Sequence, residues 1–204
     1  MFIGITQRLI QNQSYYEQRE ALALDWGKLF NTSDLFKDFL PLPLSYELPF
    51  NLYKKHLKAV ILSGGNDLSL YNTSDLSQKR DAYESELIKH CLHDEIPLLG
   101  ICRGAQMIAH FFGSKLKACQ NHTSEHEIIS IKGEKFRVNS FHNYAITELG
   151  WDLTPLFFAE DKSIEAFKHK NAKIYGLMWH IEREKGLNES SLLKEWLGNF
   201  KDNK

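Results

Sequence analysis

The feature that most constrains this chain is an apolar run that ends abruptly at a cysteine. Residues 97–104 read Pro-Leu-Leu-Gly-Ile-Cys-Arg-Gly, and the cysteine is Cys102. A short and continuously apolar run is typical of a strand that is buried on both faces. Helical sequence follows from residue 104 to residue 112, where Gly113 ends it. The sequence therefore predicts a strand, a sharp turn at Cys102 and a helix, which is the arrangement of a nucleophile elbow.

This context gives Cys102 the properties of a nucleophile. The flanking residues Gly100 and Gly104 leave room for a strained backbone at the turn. The peptide dipole at a helix N-terminus favours a thiolate, and the backbone N–H groups there can hold a developing oxyanion. Cys91 and Cys119 lack this context, so we expect them only to pack.

The order of the predicted elements indicates the fold class. In the first half, strands at 2–5, 59–62 and 97–101 alternate with helices at 14–30, 77–93 and 104–112, and residues 35–48 read as a strand and a loop. The second half is β-rich and ends in a helix, with strands at 126–131, 134–138, 141–146, 156–159, 164–168 and 174–178 and the helix at 190–200. We predict an α/β, doubly wound and mostly parallel sheet with helices on both faces and a small extra β-rich portion, in one domain over residues 1–204.

Composition excludes several classes of protein. The chain has 204 residues, 43% of them hydrophobic, and a formal net charge of −1, so it lacks the overall charge that binding to nucleic acid or to a membrane surface requires. The N-terminal apolar run is too short for a signal peptide or a membrane span. Three cysteines form no disulfide framework and no zinc-type spacing. We expect a cytoplasmic protein without metal or cofactor.

A second motif supplies the base that a thiol nucleophile needs. The apolar run 174–179 ends at His180, and Glu182 follows two residues later. At the end of a strand this spacing can return the carboxylate to the side of the imidazole, as in a catalytic triad. The pair is weak evidence by itself. Five other histidines lie in helical or polar segments and are expected to be structural or solvated: His90, His93, His110, His122 and His169.

Together these motifs resemble a known family. Residues 100–106 (Gly-Ile-Cys-Arg-Gly-Ala-Gln) and 179–182 (Trp-His-Ile-Glu) resemble the class I glutamine amidotransferase superfamily, which has a flavodoxin-like fold. Residues 5–8, 64–67 and 138–142 point to its γ-glutamyl hydrolase branch, peptidase family C26. The matches keep the family's order from residue 3 to residue 182. One departure is Ile181, because the family usually has proline after the histidine of its triad.

The resemblance implies a role for each matching residue. It implies a triad of Cys102, His180 and Glu182 that cleaves a γ-glutamyl amide bond through a thioester and releases L-glutamate. It implies an oxyanion hole from the backbone near Gly65 or Asn66 and from Arg103. It implies that seven further residues hold the glutamyl group: Gln106, Asn139, Ser140, Phe141, His142, Asn143 and Tyr144. Among them, His142 is expected to shape the loop rather than to catalyse.

The leaving group is less constrained by these motifs. Size and motif set resemble hydrolases of capsule phosphoramidate biosynthesis that cleave γ-glutamyl-CDP-amidate into glutamate and cytidine diphosphoramidate. A nucleotide would require cations and a stacking surface, for which the candidates are Arg8, Arg19, Lys28, Arg103, Trp26 and Tyr71. Two alternatives stay open: a glutaminase subunit that supplies ammonia to a partner synthase, and a hydrolase of another γ-glutamyl amine such as γ-glutamyl-GABA. His180 and Glu182 argue against a non-enzymatic protein on the same scaffold, and the oligomeric state is left open.

Overall fold

The centre of the molecule is an eleven-stranded sheet. The structure, a computed structural model, describes residues 1–201, so the last three residues of the predicted domain lie outside it. Five neighbouring strands form the parallel half of the sheet. In spatial order they are β4 (Leu40–Pro43), β1 (Phe2–Ile5), β5 (Leu57–Leu62), β6 (Leu98–Ile101) and β13 (Ile174–Leu177). The predicted parallel sheet is therefore confirmed.

The other half of the sheet is antiparallel and is built by the β-rich second half of the chain. Strands β12 (Ile164–His169), β11 (Leu153–Ala159), β8 (His126–Ser130) and β9 (Lys135–Val138) continue outward from β13, while β10 (Tyr144–Glu148) pairs with β12 and with β7 (Lys115–Ala118). The predicted β-rich portion is thus an extension of the same sheet. The strand predicted at 141–146 begins three residues later, because residues 141–143 form a loop whose His142 N–H donates to the His122 carbonyl (3.0 Å).

Helices cover both faces of the parallel strands, as the sequence predicts. Along β5, Ala59 and Ile61 belong to one hydrophobic cluster with α1 (Leu24–Thr32) and α5 (Ser191–Lys201). Val60 and Leu62 belong to a second cluster with α3 (Asp75–His93) and α4 (Arg103–Phe111). A short helix, α2 (Asn51–Lys54), precedes β5. No helix within residues 1–201 combines the length and the apolarity needed to cross a membrane.

The helix predicted at 14–30 is wrong over its first half. There the chain forms β2 (Arg8–Gln11) and β3 (Gln18–Ala21), which pair as an antiparallel hairpin outside the main sheet. Only the segment from residue 24 onward carries a buried apolar stripe, made of Trp26, Leu29 and Phe30. The residues before it are mostly exposed, so strand pairing, rather than burial of a helix face, satisfies their backbone groups.

The parallel strands place the predicted motifs at one edge of the sheet. The chain leaves β5 at Ser63, β6 at Cys102 and β13 just before His180. Since neighbouring parallel strands end on the same side, these residues meet at the carboxyl edge, where open α/β sheets carry their sites. Helix α4 packs closely on β5 at this point, because a Cβ on Gly104 would lie 2.0 Å from the Leu62 carbonyl oxygen.

Replacing Gly104 with alanine should therefore disrupt the elbow. The added methyl group would overlap main-chain atoms of Leu62 that cannot move without breaking the sheet, and we expect a loss of about 3 kcal/mol in the free energy of unfolding. Gly27 of α1 is a matched control, because a Cβ there meets no atom within 4 Å. Gly27→Ala should stabilise the protein by about 0.5–1 kcal/mol. Urea unfolding measures both; equal stabilities of the two variants would contradict this packing.

Candidate active site

Cys102 lies in the strained turn that the sequence predicts. Its φ is 52° and its ψ is −107°, a conformation that an L-residue adopts only when its surroundings enforce it. Its N–H donates to the Leu177 carbonyl of β13 (2.8 Å), and its carbonyl accepts the N–H of Gln106 (3.0 Å). A Cβ on Gly100 would lie 2.6 Å from the backbone of Gly104. The thiol is thus fixed at the first turn of α4.

His180 and Glu182 form the rest of the predicted constellation. The Nδ1 atom of His180 lies 2.6 Å from Oε1 of Glu182, and both side chains are buried. Gly64 makes the approach to Cys102 possible, because a Cβ there would lie 2.7 Å from Cε1 of His180 and 3.6 Å from Cβ of Cys102. The three side chains therefore lie in the order that a triad of nucleophile, base and orienting carboxylate requires.

The electrostatics of the site favour a protonated imidazole. Burial lowers the pKa of His180, but its hydrogen bonds to Cys102 and Glu182 outweigh burial and raise the pKa to about 9. The imidazolium is then the main form at neutral pH, next to the thiol. A histidine that carries a proton here can donate it to a departing amine.

Asn139 holds the backbone of His180 in place. Its Oδ1 accepts the N–H of His180 (2.9 Å), and its Nδ2 donates to the carbonyls of His180 (2.9 Å) and Glu184 (2.9 Å). These bonds fix the turn at His180, while Ile181 packs in the core at 1% exposure. The sequence predicts that Asn139 binds substrate. In the structure its side chain instead bonds to the backbone of His180 and Glu184.

The loop after β5 is organised by a buried arginine that was not predicted from the sequence. The guanidinium of Arg80 on α3 donates to the carbonyls of Ser63 (2.6 Å) and Gly64 (3.1 Å) and to that of Gly65. Because a trans peptide directs its N–H opposite to its carbonyl, the N–H groups of Gly65 and Asn66 point away from α3. Both residues have positive φ, 79° and 53°. This geometry suits the predicted oxyanion donors.

Buried ion pairs connect this loop to the elbow. Arg80 pairs with Glu84 (3.0 Å), and Arg103 pairs with Glu84 and Asp81. Burial raises the pKa of Glu84, but Arg103 and Arg80 outweigh it and hold the pKa below its ordinary value. Arg103 was a candidate for binding the leaving group, but its side chain is only 2% exposed and both of its terminal nitrogens pair with acidic residues of α3. The backbone N–H of Arg103 lies at the start of α4, where the predicted oxyanion donor is required.

A signal for this ion-pair cluster exists in the sequence. Residues 80, 84, 87, 88 and 91 share one face of α3, and all are buried. Two opposite charges on the apolar face of a helix indicate a buried ion pair.

Two clefts open on either side of the Cys102–His180 pair. The first, the Gln106 cleft, has a volume of about 230 Å³. The second, the Trp26 cleft, has a volume of about 220 Å³. Cys102, Gln106 and Asn66 line the first, and His180, Glu182 and Trp26 line the second. Arg8 and Gly65 line both, so the clefts meet beside the thiol.

Most of the predicted substrate-binding residues, including the oxyanion-hole candidates, line the Gln106 cleft. They are Gly65, Asn66, Arg103, Gln106, Phe141, His142, Asn143 and Tyr144. The Nε2 of Gln106 donates to the Tyr144 carbonyl (2.8 Å), and the ring of Phe141 contacts His180 edge-on (5.7 Å between centroids). Ser140 is an exception, since its hydroxyl is buried and donates to the His122 carbonyl (2.6 Å).

Of the candidates for the leaving group, only Arg8 is well placed. Arg19 is exposed on the hairpin and pairs with Glu17 (2.6 Å), and Lys28 is exposed on α1 away from the residues that line the two clefts. Trp26 lines its cleft but is 1% exposed, so its ring is closed to stacking. Tyr71 is already stacked on Tyr144 (3.7 Å). Arg183 also lines the Trp26 cleft and was not predicted from the sequence.

Comparison with known proteins identifies the family. The model of the class-I glutamine amidotransferase family matches residues 42–199. The chain belongs to the class-I glutamine amidotransferase family. It is 63% identical over 202 residues to the gamma-glutamyl-CDP-amidate hydrolase of Campylobacter jejuni subsp. jejuni serotype O:2, covering 99% of this chain and 100% of that relative.

Solved structures of glutamine amidotransferases share the fold. A glutamine amidotransferase from Thermotoga maritima superposes with a TM-score of 0.65 at 20% identity, covering 98% of this chain and 82% of that one. A GMP synthase subunit from Thermoplasma acidophilum gives a TM-score of 0.71 at 19% identity, covering 98% and 96%. At these identities the likeness concerns the fold alone, and it confirms the predicted flavodoxin-like class.

Because Glu182 helps to raise the pKa of His180, its removal should change the pH dependence of turnover. In the wild-type protein, kcat/KM should fall as pH rises through about 9, where the imidazolium loses its proton. Glu182→Gln should move this limb to lower pH and reduce kcat by about 10²–10⁴-fold. A pH–rate profile measures both effects, with Glu184→Gln, an exposed neighbour, as control. An unchanged alkaline limb in Glu182→Gln would contradict the assignment.

Proposed function

We propose that this chain hydrolyses the γ-glutamyl amide bond of γ-glutamyl-CDP-amidate and releases L-glutamate and cytidine diphosphoramidate. The observation that carries the proposal is the position of the Cys102–His180 pair between two clefts, since Cys102 lines one and His180 lines the other. The substrate follows from the 63% identity to the hydrolase of Campylobacter jejuni along the whole length of that relative. The product would serve the modification of a capsular polysaccharide.

The first half of the reaction forms an acyl-enzyme. The thiolate of Cys102, paired with the imidazolium of His180, attacks the γ-carbonyl carbon through Sγ, and the negative charge moves to the carbonyl oxygen. The N–H groups of Gly65, Asn66 and Arg103 are the proposed donors to this oxyanion. The bond between carbon and nitrogen then breaks, and His180 gives its proton to the nitrogen that leaves with the phosphorus. A γ-glutamyl thioester on Cys102 remains.

The second half restores the pair of thiolate and imidazolium. His180, now neutral, accepts a proton from a water molecule, and the resulting hydroxide adds to the thioester carbonyl. Collapse of this intermediate releases glutamate, and the thiolate of Cys102 regains its partner, the imidazolium. Glu182 orients the ring and stabilises its charge in both halves, because its carboxylate lies 2.6 Å from Nδ1.

The two clefts suggest which half of the substrate binds where. The Gln106 cleft is strongly polar in its lining residues, with Asn66, Asn143 and the amide of Gln106, which suits the α-amino and α-carboxylate groups of glutamate. The leaving nitrogen must lie next to His180, which lines the Trp26 cleft. Arg8 and Arg183 stand at that cleft and supply positive charge for a diphosphate.

The surroundings of Arg183 are consistent with this role. Its guanidinium lies 4.4 Å from the ring centroid of Phe141 and its Nε lies 4.0 Å from Glu182. It is therefore held beside the triad, yet it stays partly exposed.

All three cysteines are free thiols, which fits a reducing compartment, and we propose that the enzyme acts in the cytoplasm.

A panel of substrates tests the reaction. Purified protein should release glutamate from γ-glutamyl-CDP-amidate at least about tenfold faster, in kcat/KM, than from glutamine, γ-glutamyl-GABA or a poly-γ-glutamate. Mass spectrometry of the products provides the measurement, and Cys102→Ala should abolish turnover with an unchanged circular dichroism spectrum. Preferred release of ammonia from glutamine would instead support a glutaminase, and turnover by Cys102→Ala would exclude the thioester route.

Product inhibition tests the binding site of the leaving group. Each lost contact between an arginine and a phosphate typically costs about 1.5–3 kcal/mol. Arg8→Ala and Arg183→Ala should therefore weaken inhibition by CDP by about tenfold or more. Inhibition by glutamate should change by less than about twofold in Arg183→Ala, because Arg183 lines the Trp26 cleft and not the Gln106 cleft. Arg19→Ala is the control, since Arg19 pairs with Glu17 outside the clefts. Equal effects on CDP in all three variants would contradict the assignment.

A further inference from the structure

Behind the loop 139–144, three histidines surround one buried glutamate. Glu165 of β12 is 0% exposed. Its Oε1 lies 3.3 Å from Nδ1 of His122 and 3.5 Å from Nε2 of His142, and its Oε2 lies 3.3 Å from Nε2 of His126. His122 and His126 stand four residues apart, a spacing that metal ligands use, whereas His142 and Glu165 come from distant parts of the chain. This cluster plays no part in the proposed hydrolysis.

Several buried polar atoms of this cluster have no hydrogen-bond partner. Among residues 1–201, both carboxylate oxygens of Glu165 and the three facing nitrogens of His122, His126 and His142 are buried without a hydrogen-bond partner. A buried carboxylate left in this state is costly. The separations of 3.3–3.5 Å are also long for a charge-assisted hydrogen bond, which prefers about 2.7–2.9 Å.

The same separations fit ligands around a metal ion. Two ligand atoms at about 2.0–2.2 Å from a tetrahedral zinc ion are about 3.3–3.5 Å apart. The ligand atoms of His122, His126 and Glu165 all lie within 4.8 Å of one another. Nε2 of His142 lies 3.5 Å from Oε1 of Glu165, the oxygen that His122 also faces. Three imidazole nitrogens and the carboxylate of Glu165 form a donor set that suits a late first-row divalent cation.

In two of the three rings, the outer nitrogen, which faces away from Glu165, has a hydrogen-bond partner, as it does in metal-binding histidines. Nε2 of His122 lies 3.0 Å from the carboxylate of Asp161, and Nδ1 of His142 lies 3.0 Å from the carbonyl of Tyr144. Each outer nitrogen therefore carries a proton, and in the neutral ring the inner nitrogen then directs its lone pair at Glu165. Lone pairs facing a carboxylate repel it unless a cation lies between them.

An acidic cleft leads to these residues from the surface. It has a volume of about 460 Å³, and His122 and His126 form part of its wall. Four carboxylates also line it: Glu125, Glu127, Glu160 and Asp161. Glu125 is paired with Lys185 and Arg137, and Glu127 with Lys135. The cleft provides an access path in which the carboxylates of Glu160 and Asp161 attract cations.

We propose that His122, His126, Glu165 and His142 bind one divalent cation of the zinc type. Cys119 lies outside this set, because its Sγ lies 3.9 Å from Nδ1 of His142, the nitrogen that faces the Tyr144 carbonyl. The ion joins β12 to the loop that lines the Gln106 cleft, since His142 belongs to that loop and Gln106 donates to Tyr144 (2.8 Å). Its role is to hold this loop in place, and the inference stands independently of the proposed substrate.

Zinc binding tests the proposal directly. The full-length protein is stripped with a chelator and titrated with Zn²⁺ against a chromophoric competitor, and the bound metal is counted by mass spectrometry. We expect one zinc ion per chain and an increase of the unfolding temperature by about 5–10 °C at saturation. His126→Ala and Glu165→Gln should each weaken binding by about tenfold or more. His93→Ala, whose side chain is 86% exposed on α3, should bind zinc like the wild type.

The results separate the proposal from its rivals. His126 is only partly buried and its replacement leaves Glu165 in place, so His126→Ala tests the site even if Glu165→Gln does not fold. Failure of the wild-type protein to take up zinc, or equal affinity in His126→Ala and His93→Ala, would overturn the proposal in favour of a cluster of protonated histidines. Replacement of zinc by Co²⁺ should give a spectrum without a thiolate charge-transfer band, and such a band would overturn the proposed ligand set by assigning the ion to Cys119.

Discussion

Helix α4 lies so close to strand β5 that only a glycine fits between them, and the rest of the site depends on this contact. Gly104 rests on the carbonyl of Leu62, which sets the position of the helix start and therefore the strained conformation of Cys102. The carbonyl of Leu177 fixes the same residue from β13. Three neighbouring strands thus determine where one thiol lies, and the strain is supported by packing that cannot relax locally.

Buried ion pairs, together with this packing, hold the site in place. Arg80 and Glu84 lie on the buried face of α3. An unpaired charge there would cost a large amount of folding free energy. Each finds partners, and the partners of Arg80 are the carbonyls of the loop after β5. The same cluster holds the side chain of Arg103. One ion-pair network therefore connects the loop of the proposed oxyanion hole with the first turn of α4.

The loop 139–144 links two parts of the molecule that differ in chemistry. On one side Asn139 clamps His180, and Tyr144 meets the amide of Gln106. On the other side His142 faces the buried carboxylate of Glu165. The carbonyl of Glu165 also accepts the N–H of Met178 (2.8 Å), two residues before the histidine of the proposed triad. A cation bound at the histidine cluster would therefore stabilise the loop and the strand that carry the site.

The sequence by itself determined the alternation of strands and helices in the first half, the elbow at Cys102 and the pairing of His180 with Glu182. These features are local: each depends on apolar runs, glycines and a spacing of a few residues. The hairpin at residues 8–21, the hydrogen bonds from Asn139 to the backbone of His180 and the network around Arg80 were decided only by the tertiary structure. The histidine cluster is the extreme case, because its four members lie up to 43 positions apart, from His122 to Glu165. Side chains so distant meet only when the antiparallel strands assemble, and no periodicity in the chain records that contact.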